Sequence, residues 1–303
     1  MLKLFITTII LFFTILSVSE GGENPIKTGK TDIGLFAQTL MHDNLSREYF
    51  VYVPTSYDGT FEIPLLLSFH GFGGTASNNL ISSNMQPISD TEGFLLVSPQ
   101  GASLKGEGKG SHWNHELKST KNKSDVDDFG FVEALIDEIS SNYSIDSKRI
   151  YVCGYSNGAF FANSLSCYLN NKIAAVASIA GLMSTEIVKY HKLLHPTAAI
   201  MFHGTADQVV PYKGIEGYAM SIDQTLDYWI KFNNANTTPK INTFKHNNVE
   251  IKHYSYTDGR NGVVVEHYKI IGGNHWPQIS YMGSNISRLI WDFVSKYDVD
   301  GLR

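Results

Sequence analysis

The feature that most restricts this chain is the run Arg149-Ile150-Tyr151-Val152-Cys153-Gly154-Tyr155-Ser156-Asn157-Gly158-Ala159. An apolar stretch ends in Gly-x-Ser-x-Gly, and small residues at helical spacing follow it. That order predicts a strand, a sharp turn carrying Ser156, and a helix. The turn forces the serine into a strained backbone conformation, and the flanking glycines remove side chains that would clash there. The helix then presents free N–H groups beside the serine, where negative charge develops during acyl transfer. A serine hydroxyl alone is a weak nucleophile. The rest of the chain must therefore supply a base, an acid that orients it, and a second donor for the oxyanion.

In sheet hydrolases built on such a turn, the acid and the base follow the serine in chain order. The acid candidate is Asp207, just past the apolar stretch 198–203, at the kind of strand end where such sites form. Asp223 and Asp227 are rivals, but they fall on a helical pattern. The base candidate is His275, where the stretch 263–271 passes into Gly272-Gly273-Asn274-His275. His246, His253 and His267 lie in strand-like or charged segments and read as solvated or packed. The second donor is expected from the loop His70-Gly71-Phe72-Gly73-Gly74, which follows the buried-looking strand 64–70. The oxyanion donors are thus assigned to the backbone N–H groups of Phe72 and Asn157, not to their side chains.

Along the chain, residues 47–54, 64–70, 93–99, 173–180, 198–203, 244–256 and 263–271 read as strands. Residues 220–233 and 285–297 read as helices, and Asp127 and Asp128 open another whose apolar residues run from Phe129 to Tyr143. The acids are simplest as helix N-terminal charges; holding the neighbouring loop in place is the alternative. Residues 100–124 read as a long polar loop. Strands and helices alternate from about residue 45 onward, which argues for the α/β class: one mostly parallel sheet with helices on both faces. The chain has 303 residues and a formal charge of −5 with its lysines and arginines scattered, so no basic footprint for nucleic acid is visible. Its two cysteines, Cys153 and Cys167, read as buried free thiols in preference to a bridge. Residues 1–19 have one early lysine, a short apolar core and small residues before Ser19, which fits a cleaved secretory signal peptide. That leaves 20–303 as a single domain, secreted or periplasmic, with no lasting membrane insertion.

Several motifs together carry a resemblance: His70-Gly71-Phe72-Gly73-Gly74, Trp113-Asn114, the segment 126–131, Gly154 to Gly158, the segment 203–212, and Gly272-Gly273-Asn274-His275-Trp276-Pro277. Taken together and in this order, over roughly residues 35–297, they resemble the secreted α/β-hydrolases of the polyhydroxybutyrate depolymerase and feruloyl esterase family. The resemblance implies the α/β-hydrolase fold, Ser156 as nucleophile, Asp207 as acid and His275 as base. It also implies an ester substrate, possibly attached to a polymer, and a reaction without metal or organic cofactor. One departure is that His275 and Trp276 are adjacent, where the family usually has a residue between the histidine and the Trp-Pro pair. Trp113 and Trp276 are the candidate substrate contacts; Trp113 reads equally well as a wall beside the acyl group and as a plug for its own loop. The pairs His112/His115 and His191/His195 read as solvated loop residues and not as half metal sites. A secreted serine peptidase of the same fold is the alternative function, and a non-catalytic binding protein is a more distant one.

Overall fold

The computed structural model describes residues 30–104, 110–117, 119, 122–190, 194–277, 279–281 and 283–303. The expected signal peptide and His191 lie outside them. Among the described residues no helix is long and apolar enough to cross a membrane.

Ten strands form the main sheet: β1 (Gly34–His42), β2 (Leu45–Val53), β3 (Ile63–Phe69), β4 (Leu95–Pro99), β5 (Ile145–Tyr155), β6 (Ile173–Ile179), β7 (Ala198–Gly204), β8 (Lys240–His246), β9 (Val249–Tyr256) and β10 (Val265–Ile270). Their spatial order is β1-β2-β4-β3-β5-β6-β7-β10-β9-β8. From β4 across to β10 the neighbours are all parallel, and antiparallel strands close both edges. The parallel strands read as near-continuous apolar runs because both of their faces are covered. Along β3, Leu65, Leu67 and Phe69 enter one core and Leu66 the other. Along β5, Ile150 and Val152 face the first core and Tyr151 and Cys153 the second.

The first core is capped by α3 (Asp128–Asn142), α4 (Asn157–Tyr168) and α5 (Ile222–Asn233). The second is capped by α1 (Ala76–Ser83) and α6 (Ile286–Val294). A short helix, α2 (Gln86–Glu92), leads into β4. Asp127 caps α3 by accepting from the Gly130 N–H at 2.9 Å, and Ser221 and Gln224 form a reciprocal capping box on α5. Both cysteines are buried and free.

Three sequence readings need correction. Residues 244–256 are two strands, not one: β8 and β9 form a hairpin whose turn residues Asn247 and Asn248 both have positive φ, 48° and 64°. Asparagine tolerates that region, and paired positive φ values suit a tight hairpin turn. Strand β1 also lies where no strand was expected; it pairs with β2 as an edge, with neither face fully buried. Finally, part of the polar loop 100–124 is packed into the protein. Ala102–Ser103 pairs with Ser111–His112, and residues 111–116 are all buried.

Candidate active site

Because β3, β5, β7 and β10 are parallel, the loops leaving their C-terminal ends meet along one sheet edge. Those loops carry Phe72, Ser156, Asp207 and His275. Ser156 sits between β5 and α4 at φ 53°, ψ −121°, a backbone conformation that non-glycine residues rarely adopt. Its N–H donates to the Ile179 carbonyl at 2.8 Å, which fixes the turn against β6. Gly158 allows the turn: a Cβ there would lie 2.3 Å from the Phe69 carbonyl oxygen and 2.5 Å from that of His70. Helix α4 therefore begins in direct backbone contact with the end of β3.

The structure brings Ser156, His275 and Asp207 together. His275 Nε2 is 2.9 Å from Ser156 Oγ, and His275 Nδ1 is 2.8 Å from Asp207 Oδ2. The other carboxylate oxygen of Asp207 accepts from the N–H groups of Val209 at 2.9 Å and Val210 at 2.8 Å. The aspartate is fully buried, so these charge-assisted bonds replace the water it gave up. The rivals behave as expected: Asp223 and Asp227 lie on α5, and His267 is packed between Met201 O and the Tyr212 hydroxyl. The arrangement is an alcohol, an imidazole able to take its proton, and a carboxylate that fixes the imidazole tautomer.

The loop after β3 is braced by His70. Gly101 N–H donates to its Nε2 at 2.9 Å, so the proton is on Nδ1, which donates to Gly71 O at 2.7 Å. Burial pulls the pKa of this imidazole below its ordinary value, consistent with the neutral form that both contacts need. Gly73 N–H donates to Ser111 O at 2.7 Å. Among the described residues, no acceptor is bonded to the N–H of Phe72 or of Asn157. The Phe72 ring is half exposed, with Lys123 Nζ 4.0 Å above it.

Trp113 borders the cleft at Ser156, but its side chain is turned into the protein. Its ring is buried, stacked on Phe161 at 5.0 Å and edge-on to Phe69 at 5.2 Å, with Nε1 donating to His70 O at 3.2 Å. It is a packing piece that joins the site loop to β3 and α4, and it offers a substrate almost no surface. Trp276 is the opposite: it is 68% exposed and stacks on Tyr155 at 4.8 Å, directly beside His275. The Tyr155 hydroxyl donates to His275 O at 3.1 Å.

His112 and His115, expected in solvent, are buried. His112 Nε2 contacts Asn114 Oδ1 at 3.1 Å, and His115 Nε2 contacts the Tyr218 hydroxyl at 2.6 Å, while His115 Nδ1 is buried without a hydrogen-bond partner among the described residues. Burial, then the nearby Lys123 charge, pulls the His115 pKa down to about 4. His195 is half-buried, with Nδ1 donating to Pro196 O at 2.7 Å. The segment 113–116 is tied down from several directions. Trp113 N–H donates to the Asn157 Oδ1 at 2.8 Å, and Asn157 Nδ2 returns a bond to Trp113 O at 3.0 Å. Asn114 N–H donates to Asp128 Oδ2 at 2.8 Å, and Arg47 donates to Asp128 Oδ1 at 2.7 Å. Asp128 thus both opens α3 and anchors the loop. The Asn157 side chain and Arg47 were missed by sequence reading. Arg47 reaches Asp128 across 81 residues, and nothing local announces the pair.

A cleft of about 140 Å³ opens at Ser156, bordered by Phe72, His115, Phe160, Val210, Ile215 and Tyr218. Elsewhere, His42, Asp43 and Asp127 gather potential metal-ligand atoms within 4.8 Å, but Asp127 is already engaged by the α3 N-terminus and by His42 at 3.2 Å.

Comparison with known proteins adds to this geometry. The family model described as phospholipase/carboxylesterase matches residues 60–250. A bifunctional acetylxylan esterase/xylanase of Neocallimastix patriciarum is 31% identical over 84% of this chain and 34% of its own length. Feruloyl esterase B of Piromyces equi is 31% identical over 84% of this chain and 46% of its own length. Poly(3-hydroxyalkanoate) depolymerase C of Paucimonas lemoignei is 28% identical over 44% of this chain and 31% of its own length. The chain thus spans less than half the length of these relatives. Among solved structures, an acetyl xylan esterase from Aspergillus awamori superposes with a TM-score of 0.60, covering 86% of this chain and 99% of that one. At 14% identity that likeness speaks to the fold alone.

Proposed function

Because the chain belongs to the phospholipase/carboxylesterase family of α/β-hydrolases, we propose that it hydrolyses carboxylic esters through an acyl-enzyme on Ser156. The observation that carries this reading is the His275 ring, 2.9 Å from the serine oxygen on one side and 2.8 Å from the Asp207 carboxylate on the other. His275 takes the serine proton as Oγ attacks the ester carbonyl. The N–H groups of Phe72 and Asn157 hold the oxyanion. His275 then protonates the departing alcohol, and a water activated by the same imidazole releases the acid. Asp207 keeps Nδ1 protonated and stabilises the imidazolium; no step requires a metal.

The substrate is proposed to be an acetyl or feruloyl ester carried on a plant polysaccharide, supported by the names of the two 31%-identical relatives. A cleft of about 140 Å³ is comparable to a cavity that binds benzene, so an acetyl group fits with room and a feruloyl group must extend toward the mouth. Trp276, exposed beside the base, is proposed as a platform for the sugar or aromatic part of the ester. Residues 1–19 are proposed as a cleaved leader that directs a single catalytic domain, 20–303, out of the cytoplasm.

The test is labelling by an active-site fluorophosphonate together with turnover on acetylated xylan, methyl ferulate, a hydroxybutyrate polymer and a chromogenic peptide. Wild-type protein labels and cleaves one of the first two fastest, and Ser156→Ala does neither. A Ser156→Ala protein that still labels overturns the nucleophile, and preferential cleavage of the polymer or of the peptide overturns the substrate class.

A further inference from the structure

A second histidine touches the carboxylate of Asp207. His203, at the end of β7, is fully buried, and its Nε2 is 2.8 Å from the carbonyl oxygen of Val210. A carbonyl only accepts, so Nε2 carries the proton and the tautomer is fixed. The same nitrogen is 3.4 Å from Asp207 Oδ2, the oxygen that His275 Nδ1 approaches at 2.8 Å. Val210 closes a small ring of bonds: its carbonyl accepts from His203 while its N–H donates to Asp207 Oδ1 at 2.8 Å.

We propose that His203 is a positioning residue for the reaction proposed above: its neutral Nε2–H donates to Val210 O, holding the 207–210 turn, and lies 3.4 Å from Asp207 Oδ2 with its positive end toward the carboxylate, keeping it aimed at His275. The neutral form is what the role needs. A charged His203 would compete with the His275 imidazolium for the same oxygen, and two cations on one carboxylate repel. Its surroundings favour neutrality. Burial lowers its pKa, and the His275 charge opposes its protonation. The Tyr212 ring packs edge-on at 5.8 Å, and the buried His267, whose own pKa is pulled down to about 3, lies beyond it against the Tyr212 hydroxyl. Asp207 is the anion that faces it.

The geometry distinguishes this role from simple packing. Without the His203 N–H dipole beside it, Oδ2 holds the His275 proton more strongly, so the acid limb of kcat/KM moves to higher pH. Loss of alignment lowers the plateau as well, and small misplacements cost up to about 100-fold.

The experiment compares wild type, His203→Phe and His203→Gln, with active sites counted by fluorophosphonate labelling. His203→Phe is expected to lower kcat per active site by about 10- to 100-fold, to leave KM within about two-fold, and to raise the acid limb. His203→Gln, whose side-chain N–H₂ still donates, recovers most of the rate and of the pH profile. If His203→Phe does not fold, His203→Gln is compared with His203→Met in the same assays. Wild-type kcat and an unmoved acid limb in the donor-less variant overturn the inference, as does a rate loss that the glutamine fails to rescue. Failure of the triad reading is a separate result: it is a Ser156→Ala protein that still labels, whatever His203 does.

Discussion

Replacing Arg47 by methionine tests whether the loop beside Ser156 is held by charge. Arg47 is 4% exposed and Asp128 not at all; their 2.7 Å bond is the carboxylate's only contact with a cation among the described residues. Asp128 keeps the Asn114 N–H at 2.8 Å, one donor for a buried charge. Removing one partner of such a pair costs about 3–5 kcal/mol, because the other is left uncompensated in a dry site. The stacking of the guanidinium on Phe131 at 4.0 Å is lost too, worth roughly 0.5–2 kcal/mol. Methionine keeps the aliphatic bulk, so the loss is mainly electrostatic. For a chain of this size the melting temperature should fall by about 5–10 °C. The sign of the pH dependence follows from Asp128. Burial already raises its pKa, and the Arg47 charge does most to oppose that rise, so Arg47→Met raises it further. A carboxyl whose folded pKa exceeds its unfolded one costs stability as pH rises through the folded value. The deficit relative to wild type should be full at neutral pH and narrow as acid protonates Asp128. Thermal and urea melts from pH 5 to pH 8 measure it, and Arg47→Met/Asp128→Asn should recover part of the loss at pH 7. An Arg47→Met protein within about 1 kcal/mol of wild type, or a deficit that does not vary with pH, refutes the reasoning.

Gly158→Ala would force a Cβ to within 2.3 Å of the Phe69 carbonyl oxygen, and overpacking of this kind costs about 1–3 kcal/mol. Its fluorophosphonate labelling should slow sharply even where the protein remains folded, and an unchanged labelling rate would mean that α4 need not approach β3 so closely. Asn157→Ala removes both bonds to Trp113 and strands a buried N–H and C=O, about 1–3 kcal/mol each. Hydrogen exchange should speed up at the Trp113 amide while the Asn114 amide, bonded to Asp128, stays protected; equal exchange in wild type and variant would assign the anchoring elsewhere.

The parts of the site that were legible in the sequence are those whose geometry is local. The turn at Ser156 needs small neighbours within two residues, so Gly154 and Gly158 announce it. Asp207 and His275 could be found because each follows an apolar run long enough to be a buried strand, and parallel strands deliver their loops to one edge. Residues 111–116 were misread because their composition is polar and their partners are distant: Asp128, Asn157, Ser184 and Tyr218 come from four other segments. A polar stretch is buried only when such partners exist, and no local pattern reports them. The Trp113 ring was ambiguous for the same reason, since only the positions of Phe69 and Phe161 decide whether it plugs or lines. The β8–β9 hairpin, by contrast, carried a readable signal in Asn247-Asn248, a pair suited to consecutive positive φ values.

The placement of β10 bears on how the molecule assembles. This strand enters the sheet between β7 and β9, so the hairpin formed by β8 and β9 precedes it in the chain yet ends up outside it. Ser156 and its helix need only contiguous residues and the neighbouring strands, but His275 reaches its place only after β10 has docked on β7, aligning Val265 with Ala199. The two halves of the Ser156–His275 contact are 119 residues apart, and contacts of such separation are costly to close during folding. During refolding the serine turn can therefore form before it is armed, and reactivity toward a fluorophosphonate becomes a clock for the arrival of the last central strand instead of for collapse of the core.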